Sequence, residues 1–393
     1  MRAVESDVQI QNGWIVAGVL AAAANLRAPL TAVGPLIPHL QHDLSLSHTA
    51  VGLLTTLPLL AFGLGSFGAS RLAARFGMAR VLLLSMLLLT VGELVRPFPA
   101  PFYLFIGTLL VGVAIAVDNV LLPAVVKESF PARLGVLTGL YLATMHLMAS
   151  LASGLSVPMA ETWGLGWEGA LRCWALLAFV AALLWIPPAR RSSLTTSPEP
   201  TRRSLPWRSA LAWQVTLFMG LQSFFFYCMI TWIPALAQDR GLSATTAGWI
   251  LFAFLLAQLP LLFITPVLAE RRPHQQSLAL AAGLLTIAGV VGFMIGKGVM
   301  LWSAAILAGA GAGMGFSLAM TLFPLRTRTP LRAADLSAMA QAVGYLLAAV
   351  GPTTFGFLYD QTHQFTASLG MLLGVTLLML GFGVAASRPR FVD

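Results

Sequence analysis

Charged residues are scarce in this sequence. Only 9% of its 393 residues are Asp, Glu, Lys or Arg, whereas 58% are hydrophobic. A soluble domain carries about 25% charged residues, so this composition excludes a water-covered globular surface and indicates an integral membrane protein. Its apolar runs of about 20 residues are long enough to cross a hydrocarbon core of about 30 Å as helices. The alternating strand pattern of about ten residues that is typical of a membrane barrel is absent.

Reactive and metal-binding patterns are also lacking. The two cysteines, Cys173 and Cys228, fall inside apolar segments without metal-ligand spacing, which predicts two buried thiols and no disulfide. The sequence contains no phosphate-binding glycine loop, no nucleophile constellation and no histidine–cysteine cluster. We therefore expect no enzyme, no ATP-driven transport, no metal and no cofactor.

Polar residues divide the apolar sequence into a series of helical spans, so the predicted fold class is an all-α integral membrane protein with twelve transmembrane helices. The apolar run after the polar N-terminus is too long for a signal-peptide core, and we expect it to be retained as the first span. The predicted spans lie near residues 13–38, 50–70, 80–97, 102–126, 136–160, 169–188, 209–235, 245–269, 277–296, 299–324, 336–359 and 366–387.

The positive charges are distributed asymmetrically between the two sets of loops. Of the 23 Lys and Arg residues, eighteen fall in one set of loops and ends, two (Arg240 and Lys297) in the opposite loops, and three within or at the ends of spans. The positive-inside rule then predicts that both termini are cytoplasmic. The expected location is a bacterial inner membrane. The net charge of +9 is therefore explained by the membrane topology. The sequence has no basic face with base-reading or stacking groups, so we expect no nucleic-acid partner.

The two halves of the chain resemble each other. DLSLSHTAVG at Asp43–Gly52 is similar to DRGLSATTAG at Asp239–Gly248, in the same order and direction along the chain. This predicts an N-terminal six-helix bundle over 1–188, a cytoplasmic linker over 189–208 and a C-terminal six-helix bundle over 209–393. Parallel repeats of this kind are typical of transporters whose substrate site lies between two bundles near the membrane midplane.

The loop after the second span carries a recognisable motif. SRLAARFGMAR resembles the short loop motif of the major facilitator superfamily, with Ser70 and Ala74 where the family pattern has Gly and Asp. In the second repeat, Glu270 occupies the acidic position just before Arg271. The gating-loop residues that the motif implies are Arg75, Glu270 and Arg271.

A narrower resemblance extends over nearly the whole chain. LRAPLTAVGPLIP, GLLTTLPLLAF, NVLLPAVVK, LAWQVTLF and MAQAVGYLLAAVGP occur in this order and resemble the cyanate/2-nitroimidazole transporter family, especially its nitroimidazole-exporter branch. The resemblance implies the major facilitator fold and a cavity lined by spans one, four, seven and ten. It also implies a secondary transporter that binds a small molecule and acts as a monomer in the lipid bilayer.

Arg27 stands inside the small-residue stretch AAAANLRAPLTAVGP. With the first span entering near Gly13, helical rise places Arg27 about 21 Å into the membrane. An arginine at such depth costs several kcal/mol unless it faces protein or water. Its role is either structural, held by carbonyls or an acidic partner, or functional, at a substrate or coupling site, and we favour the functional role. The matching position in the second half is Ser223, so the charge is not a repeated structural device.

Asp118, in the fourth span, is the candidate partner of Arg27. It lies about 24 Å from the start of its own span and roughly 10 Å nearer the cytoplasm than Arg27. The two spans run in opposite directions, so the side chains lean toward each other. A direct pair and a pair bridged by water or substrate both fit this arrangement. Asp118 is either a proton-coupling group or a neutralised buried carboxyl.

Other polar side chains within the spans have less distinctive patterns. Glu93 precedes Arg96 by three residues and Glu168 precedes Arg172 by four, which predicts two local, structural ion pairs. His146 is either a hydrogen-bonded core residue or a second proton carrier. The further side chains that offer substrate contacts or packing are Thr31, Asn119, Gln222, Tyr227, Trp232, Phe316, Gln341 and Tyr345.

These observations predict a secondary active transporter that moves a small polar or anionic organic solute by alternating access. Proton-coupled export of nitroimidazole-like compounds is the preferred function. Uptake of a small anion, such as cyanate or a carboxylate, is the alternative, and a transport-dead membrane sensor is an alternative of another class.

Overall fold

The computed structural model of the chain describes residues 2–46, 48–191 and 205–392, in which the regular structure is helical. Two short 3₁₀ turns, at Gly34–Leu36 and Pro131–Arg133, and a π turn at Pro158–Thr162 interrupt or join the α-helices. The α-helices are α1 (Arg2–Asn25), α2 (Ala28–Thr31), α3 (Ile37–Leu44), α4 (His48–Phe76), α5 (Met78–Val95), α6 (Pro101–Ser129), α7 (Leu134–Val157), α8 (Gly166–Arg191), α9 (Ala210–Asp239), α10 (Ala244–Arg271), α11 (Gln276–Ile295), α12 (Met300–Leu325), α13 (Pro330–Thr362) and α14 (Phe365–Ala386).

The number of membrane spans matches the prediction. Eleven helical segments of the described chain are long and apolar enough to cross a membrane. The twelfth is α4, which is bent by 49° between Thr56–Ser66 and Gly68–Phe76 and completes the set when its two parts count as one span. The all-helical membrane fold class predicted from the sequence is confirmed.

The helices cluster into two compact units. The first runs from the N-terminus to Ala132 and resumes at Leu140, and the second contains Arg133–Gly139 and the chain from Leu205 onward. The first turn of α7 thus belongs to the second unit, which the sequence does not indicate. Of the predicted linker, residues 192–204 lie outside the described chain, and α8 continues to Arg191.

The same packing order occurs within each unit. In the first, α1 packs on α8, α4 packs on α6, and α5 contacts both α6 and α8. In the second, α9 packs on α13 and α14, α10 packs on α12, and α11 contacts both α12 and α14. The relationship of α5 to α6 and α8 therefore recurs as that of α11 to α12 and α14, in agreement with the repeat in the sequence.

Small residues permit the close approach of helices in the second unit. Gly311 of α12 lies against Thr286 of α11, and Gly313 lies against Gln258 of α10, where an added Cβ would come within 2.8 Å of the Gln258 Cα. Backbones can approach this closely only where side chains are minimal. The core around these helices contains the buried thiol of Cys228. Cys173 is exposed, so the prediction of a buried thiol is wrong at that position.

Candidate functional site

The first span is interrupted at Arg27, the residue that carries its charge. Helix α1 ends at Asn25, and Arg27 has φ −130° and ψ −32° before the single turn of α2. Pro29, in this turn, has no N–H to donate back to the preceding helix. The backbone therefore leaves the helical path at Leu26–Arg27. The prediction of a membrane span here is correct. The break within it was not predicted, although Pro29 and Pro35 are residues that disfavour a continuous helix.

Hydrogen bonds fix the segment on both sides of the break. Thr31 Oγ1 donates to the Ala149 carbonyl of α7 at 2.9 Å. Before the break, Asn25 Nδ2 donates to the Ala21 carbonyl at 2.8 Å, while its buried Oδ1 accepts no hydrogen bond from the described residues. Asn25 is a candidate functional residue that the sequence analysis missed, since an isolated asparagine in a helix has no distinctive pattern.

Arg27, Thr31 and His146 lie together in the first unit. Arg27 and His146 are both partly exposed, and the guanidinium is near enough to act electrostatically on the imidazole. His146 Nδ1 lies 3.1 Å from the Leu142 carbonyl. A carbonyl only accepts, so Nδ1 carries the proton of this bond, and Nε2 is the acceptor nitrogen of the neutral ring. The cluster thus offers a permanent cation, a hydroxyl and an imidazole.

Asp118 occupies a different environment. Its side chain is fully buried, and Ser85 of α5 donates a hydrogen bond to Oδ1. The other oxygen, Oδ2, has no hydrogen-bond partner in the described chain. The structure therefore brings Asp118 to Ser85 and not to Arg27. A direct pair with Arg27 was one of the arrangements expected from the sequence, and Ser85 was not among the candidates. The neighbouring Asn119 is also buried.

The predicted local ion pairs at one end of α5 and α8 do not form, so this part of the sequence interpretation is wrong. Glu93 and Arg96 are both fully buried, but Arg96 Nη1 donates to the Pro29 carbonyl at 2.7 Å. Arg172 donates to the Pro97 carbonyl at 3.4 Å and lies over a phenylalanine ring. In both cases a proline carbonyl, which helical spacing cannot reveal, is the hydrogen-bond partner.

In the second unit, Gln222 links two helices. Its Nε2 donates to the Ala312 carbonyl of α12 at 3.3 Å, and its Oε1 accepts from Ser223 Oγ at 3.3 Å. Gln341 similarly donates to Ser337 Oγ at 2.9 Å within α13. These amides are buried. Because they hydrogen-bond to groups of the protein itself, a packing role is favoured for both. Phe316 and Tyr345 are buried as well.

Two aromatic residues of α9 differ in their surroundings. Trp232 Nε1 donates to the Pro352 carbonyl at 3.0 Å, and its ring stacks on Phe355 with centroids 5.5 Å apart. This arrangement favours a packing role for Trp232. Tyr227 is partly exposed, and its ring meets that of Phe226 edge to face with centroids 5.4 Å apart.

The gating-loop residues lie at the ends of α4 and α10. Arg75 is exposed and stacks over the adjacent Phe76 ring at 5.2 Å. Glu270 Oε2 accepts a hydrogen bond at 2.8 Å from the Gly135 amide, in the first turn of α7. A carboxylate at a helix N-terminus is favoured by the helix dipole. Arg271, the last residue of α10, is exposed.

The long apolar helices of the described chain define a multi-pass membrane protein. Residues 15–352 match the family described as Major Facilitator Superfamily, and the chain belongs to it. Its relatives are transporters, so the chain is a transporter and not an enzyme.

Three relatives narrow the family. The chain is 40% identical to an uncharacterized transporter, YycB, of Bacillus subtilis, over 98% of this chain and 96% of the relative. It is 39% identical to the 2-nitroimidazole transporter of Escherichia coli, over 96% of each. It is 31% identical to the cyanate transport protein CynX of the same organism, over 85% of this chain and 87% of the relative. The predicted resemblance to cyanate and 2-nitroimidazole transporters is confirmed.

Solved structures show the same fold at low sequence identity. The human organic anion transporter MFSD10 matches with a TM-score of 0.77 and 16% identity, over 95% of this chain and 99% of that chain. The transporter FucP in its outward conformation matches with a TM-score of 0.74 and 12% identity, over the same shares of the two chains. These matches establish the major facilitator fold.

Proposed function

We propose that the protein exports nitroimidazole-like compounds by a proton-coupled, alternating-access mechanism, with Arg27 in contact with the substrate. The observation that carries this proposal is the interruption of the first span at Arg27. Discontinuous membrane helices are typical of substrate sites in secondary transporters, because irregular backbone supplies polar groups within the membrane. The 39% identity to a 2-nitroimidazole transporter supports the compound class.

Nitroimidazoles are flat, polar compounds whose nitro oxygens are hydrogen-bond acceptors. A guanidinium provides several donors in one plane and suits such a group. In the proposed site, Arg27 donates to the nitro group, while Thr31 and His146 hold or contact the substrate beside it. The side chains of Asn119, Gln222, Tyr227, Trp232, Phe316, Gln341 and Tyr345 remain predicted contacts, and the packing of Trp232 makes it the weakest of them.

Asp118 is the proposed proton carrier. A buried carboxyl that has one donor, Ser85, and one oxygen without a partner can hold a proton there without losing its existing hydrogen bond. His146 is the second candidate, since its Nε2 is the acceptor nitrogen of the neutral ring.

Uptake of a small anion is the second candidate function. Arg27 is a permanent cation, and the relationship to a cyanate transport protein favours a negatively charged substrate. In either case we place the protein as a monomer in a bacterial inner membrane with both termini in the cytoplasm. The distribution of lysine and arginine between the loops supports this orientation.

The first test measures binding to the purified protein. A ligand that binds the native state raises its apparent stability, by about 2.7 kcal/mol at a hundred times its Kd. We expect 2-nitroimidazole to raise the unfolding temperature of the wild type and to lose this effect in Arg27→Ala. Arg172→Ala, which removes an exposed arginine, is the matched control and should respond as the wild type does.

Transport measurements then separate the two functions. In inverted membrane vesicles, export predicts accumulation of labelled 2-nitroimidazole that collapses when the proton gradient is dissipated. Stabilisation and transport of cyanate, with no response to 2-nitroimidazole, would instead support anion uptake. If Arg27→Ala binds and transports normally, the assignment of Arg27 to the substrate is wrong.

A further inference from the structure

A second buried arginine holds the segment that carries Arg27. Arg96 immediately follows α5, is fully buried, and donates through Nη1 to the Pro29 carbonyl at 2.7 Å. Pro29 lies two residues after Arg27, in the single turn of α2. Arg96 therefore contacts the interrupted part of the first span and not its regular helix.

The Pro29 carbonyl is available because the segment is irregular. The backbone amides of Thr31 and Ala32 donate to the carbonyls of Arg27 and Ala28. In the described chain, no backbone amide outside the regular helices donates to Pro29, the next carbonyl in this series. A carbonyl left without a donor inside a membrane protein is costly. The Arg96 guanidinium provides that donor and so stabilises the interrupted conformation.

Glu93 lies near Arg96 in the sequence but does not take its hydrogen bond. It lies one helical turn before Arg96 and is fully buried, and neither of its carboxyl oxygens has a hydrogen-bond partner in the described chain. No direct ion pair joins the two side chains. Residues three apart on a helix can reach each other. Arg96 is nevertheless directed to the Pro29 carbonyl and not to Glu93.

Close packing fixes the position of Arg96. Gly107 of α6 lies against its backbone, so that an added Cβ would come within 2.6 Å of the Arg96 Cα. The absence of a side chain at this position lets α6 pack directly on the residue that follows α5. The backbone that carries the Arg96 guanidinium therefore has little freedom to move.

We propose that Arg96 is a positioning residue, which holds the Pro29 carbonyl and so orients the Arg27 segment for substrate contact. The link to substrate rests on the proposed function of Arg27. The link between Arg96 and the segment does not, and it can be tested without any substrate.

The substrate-independent test is hydrogen exchange in the segment. We expect Arg96→Gln to increase amide exchange in a peptide covering residues 26–33 by about tenfold, the factor that follows from losing one hydrogen bond to a charged group. Arg96→Lys, which keeps the charge and a donor, should restore part of the protection. Arg172→Gln is the matched control, because Arg172 also donates to a proline carbonyl, Pro97, but outside the interrupted segment.

A second variant covers the case in which Arg96→Gln does not fold. Gly107→Ala displaces the Arg96 backbone without changing any charge and should increase exchange in the same peptide. Wild-type exchange over residues 26–33 in a folded Arg96→Gln or Gly107→Ala protein would overturn the positioning role.

The functional test separates affinity from turnover. With 2-nitroimidazole as the probe, we expect Arg96→Gln to raise KM about tenfold and to change the maximal rate much less, with partial rescue by Arg96→Lys. If Arg27→Ala transports normally, the proposed function fails while the exchange result still decides the role of Arg96. If Arg27→Ala loses transport but Arg96→Gln keeps the wild-type KM, the positioning proposal alone fails.

Discussion

The carboxylate of Glu270 accepts a hydrogen bond from the amide of Gly135 and so closes the first turn of α7. The corresponding helix of the second repeat, α13, begins differently. There Thr329 Oγ1 accepts from the Arg332 amide of its own first turn at 3.3 Å. The two repeats thus cap equivalent helix N-termini by different means, α7 with a carboxylate from another helix and α13 with a hydroxyl from its own first turn.

Removal of the Glu270 charge should weaken the first turn of α7. Glu270→Gln keeps an acceptor but loses the attraction to the helix dipole, which is worth about 0.3–1 kcal/mol at such positions. Glu270→Ala also leaves the Gly135 amide without its acceptor, and we expect a loss of about 1–2 kcal/mol. Thermal unfolding and amide exchange over residues 134–138 measure these effects. Arg271→Ala, at the exposed neighbouring position, should stay within about 0.5 kcal/mol of the wild type. An equal effect of Arg271→Ala would contradict the assignment.

Asp118 and Ser85 provide a test of proton coupling. Asp118→Asn retains a side-chain oxygen that can accept the Ser85 hydrogen bond, so we expect a folded protein. If Asp118 carries the proton, this variant should still exchange 2-nitroimidazole across the membrane but should no longer accumulate it in response to a proton gradient. Ser85→Ala is the control that removes the hydrogen bond and keeps the carboxyl. Gradient-driven accumulation by Asp118→Asn would exclude this residue as the carrier.

Trp232 should behave as a packing residue. It loses both a hydrogen bond to Pro352 and a stack on Phe355 when truncated, and Trp232→Ala should destabilise the protein by about 3–5 kcal/mol. Trp232→Phe keeps most of the ring packing and should be destabilised less, with no change in the affinity for 2-nitroimidazole. A large change in affinity at nearly unchanged stability would restore the role in substrate binding that the sequence suggested.

The contacts of Asp43 predict that the folded protein is less stable in acid. The side chains of His42 and Trp167, whose Nε1 donates at 2.9 Å, hold the pKa of this carboxyl below its usual value of 3.8. Because the folded-state pKa is lower than the unfolded one, the ionised carboxylate stabilises the fold above the unfolded pKa. This stabilisation is lost as the pH falls from about 4 through the folded-state pKa. Asp43→Asn should reduce the slope of unfolding temperature against pH in this range. An unchanged slope would show that the contacts do not persist in solution.

The sequence predicted the fold well because each span is a strong local signal. Length and apolar composition identify a membrane helix without reference to its neighbours, and the repeat and loop motif identified the family. The candidate site was less predictable. The position of Arg27 was visible as a charge in an apolar stretch, but the partner of Asp118 depends on which face of α6 meets α5. Similarly, the hydrogen bond from Arg96 to Pro29 joins residues 67 positions apart, and a carbonyl acceptor leaves no mark on the sequence.

The interruption at Leu26–Arg27 also divides the first span into two structurally separate parts. Helix α1 packs closely on α8, and Trp185 Nε1 donates to the Gly18 carbonyl at 3.1 Å. An added Cβ at Gly18 would lie 3.1 Å from the indole ring. Residues after the break do not continue that helix, so a change in their side chains or register need not be transmitted back into the α1–α8 contact. A substitution after the break can therefore change the candidate site while the buried contact between α1 and α8 stays in place.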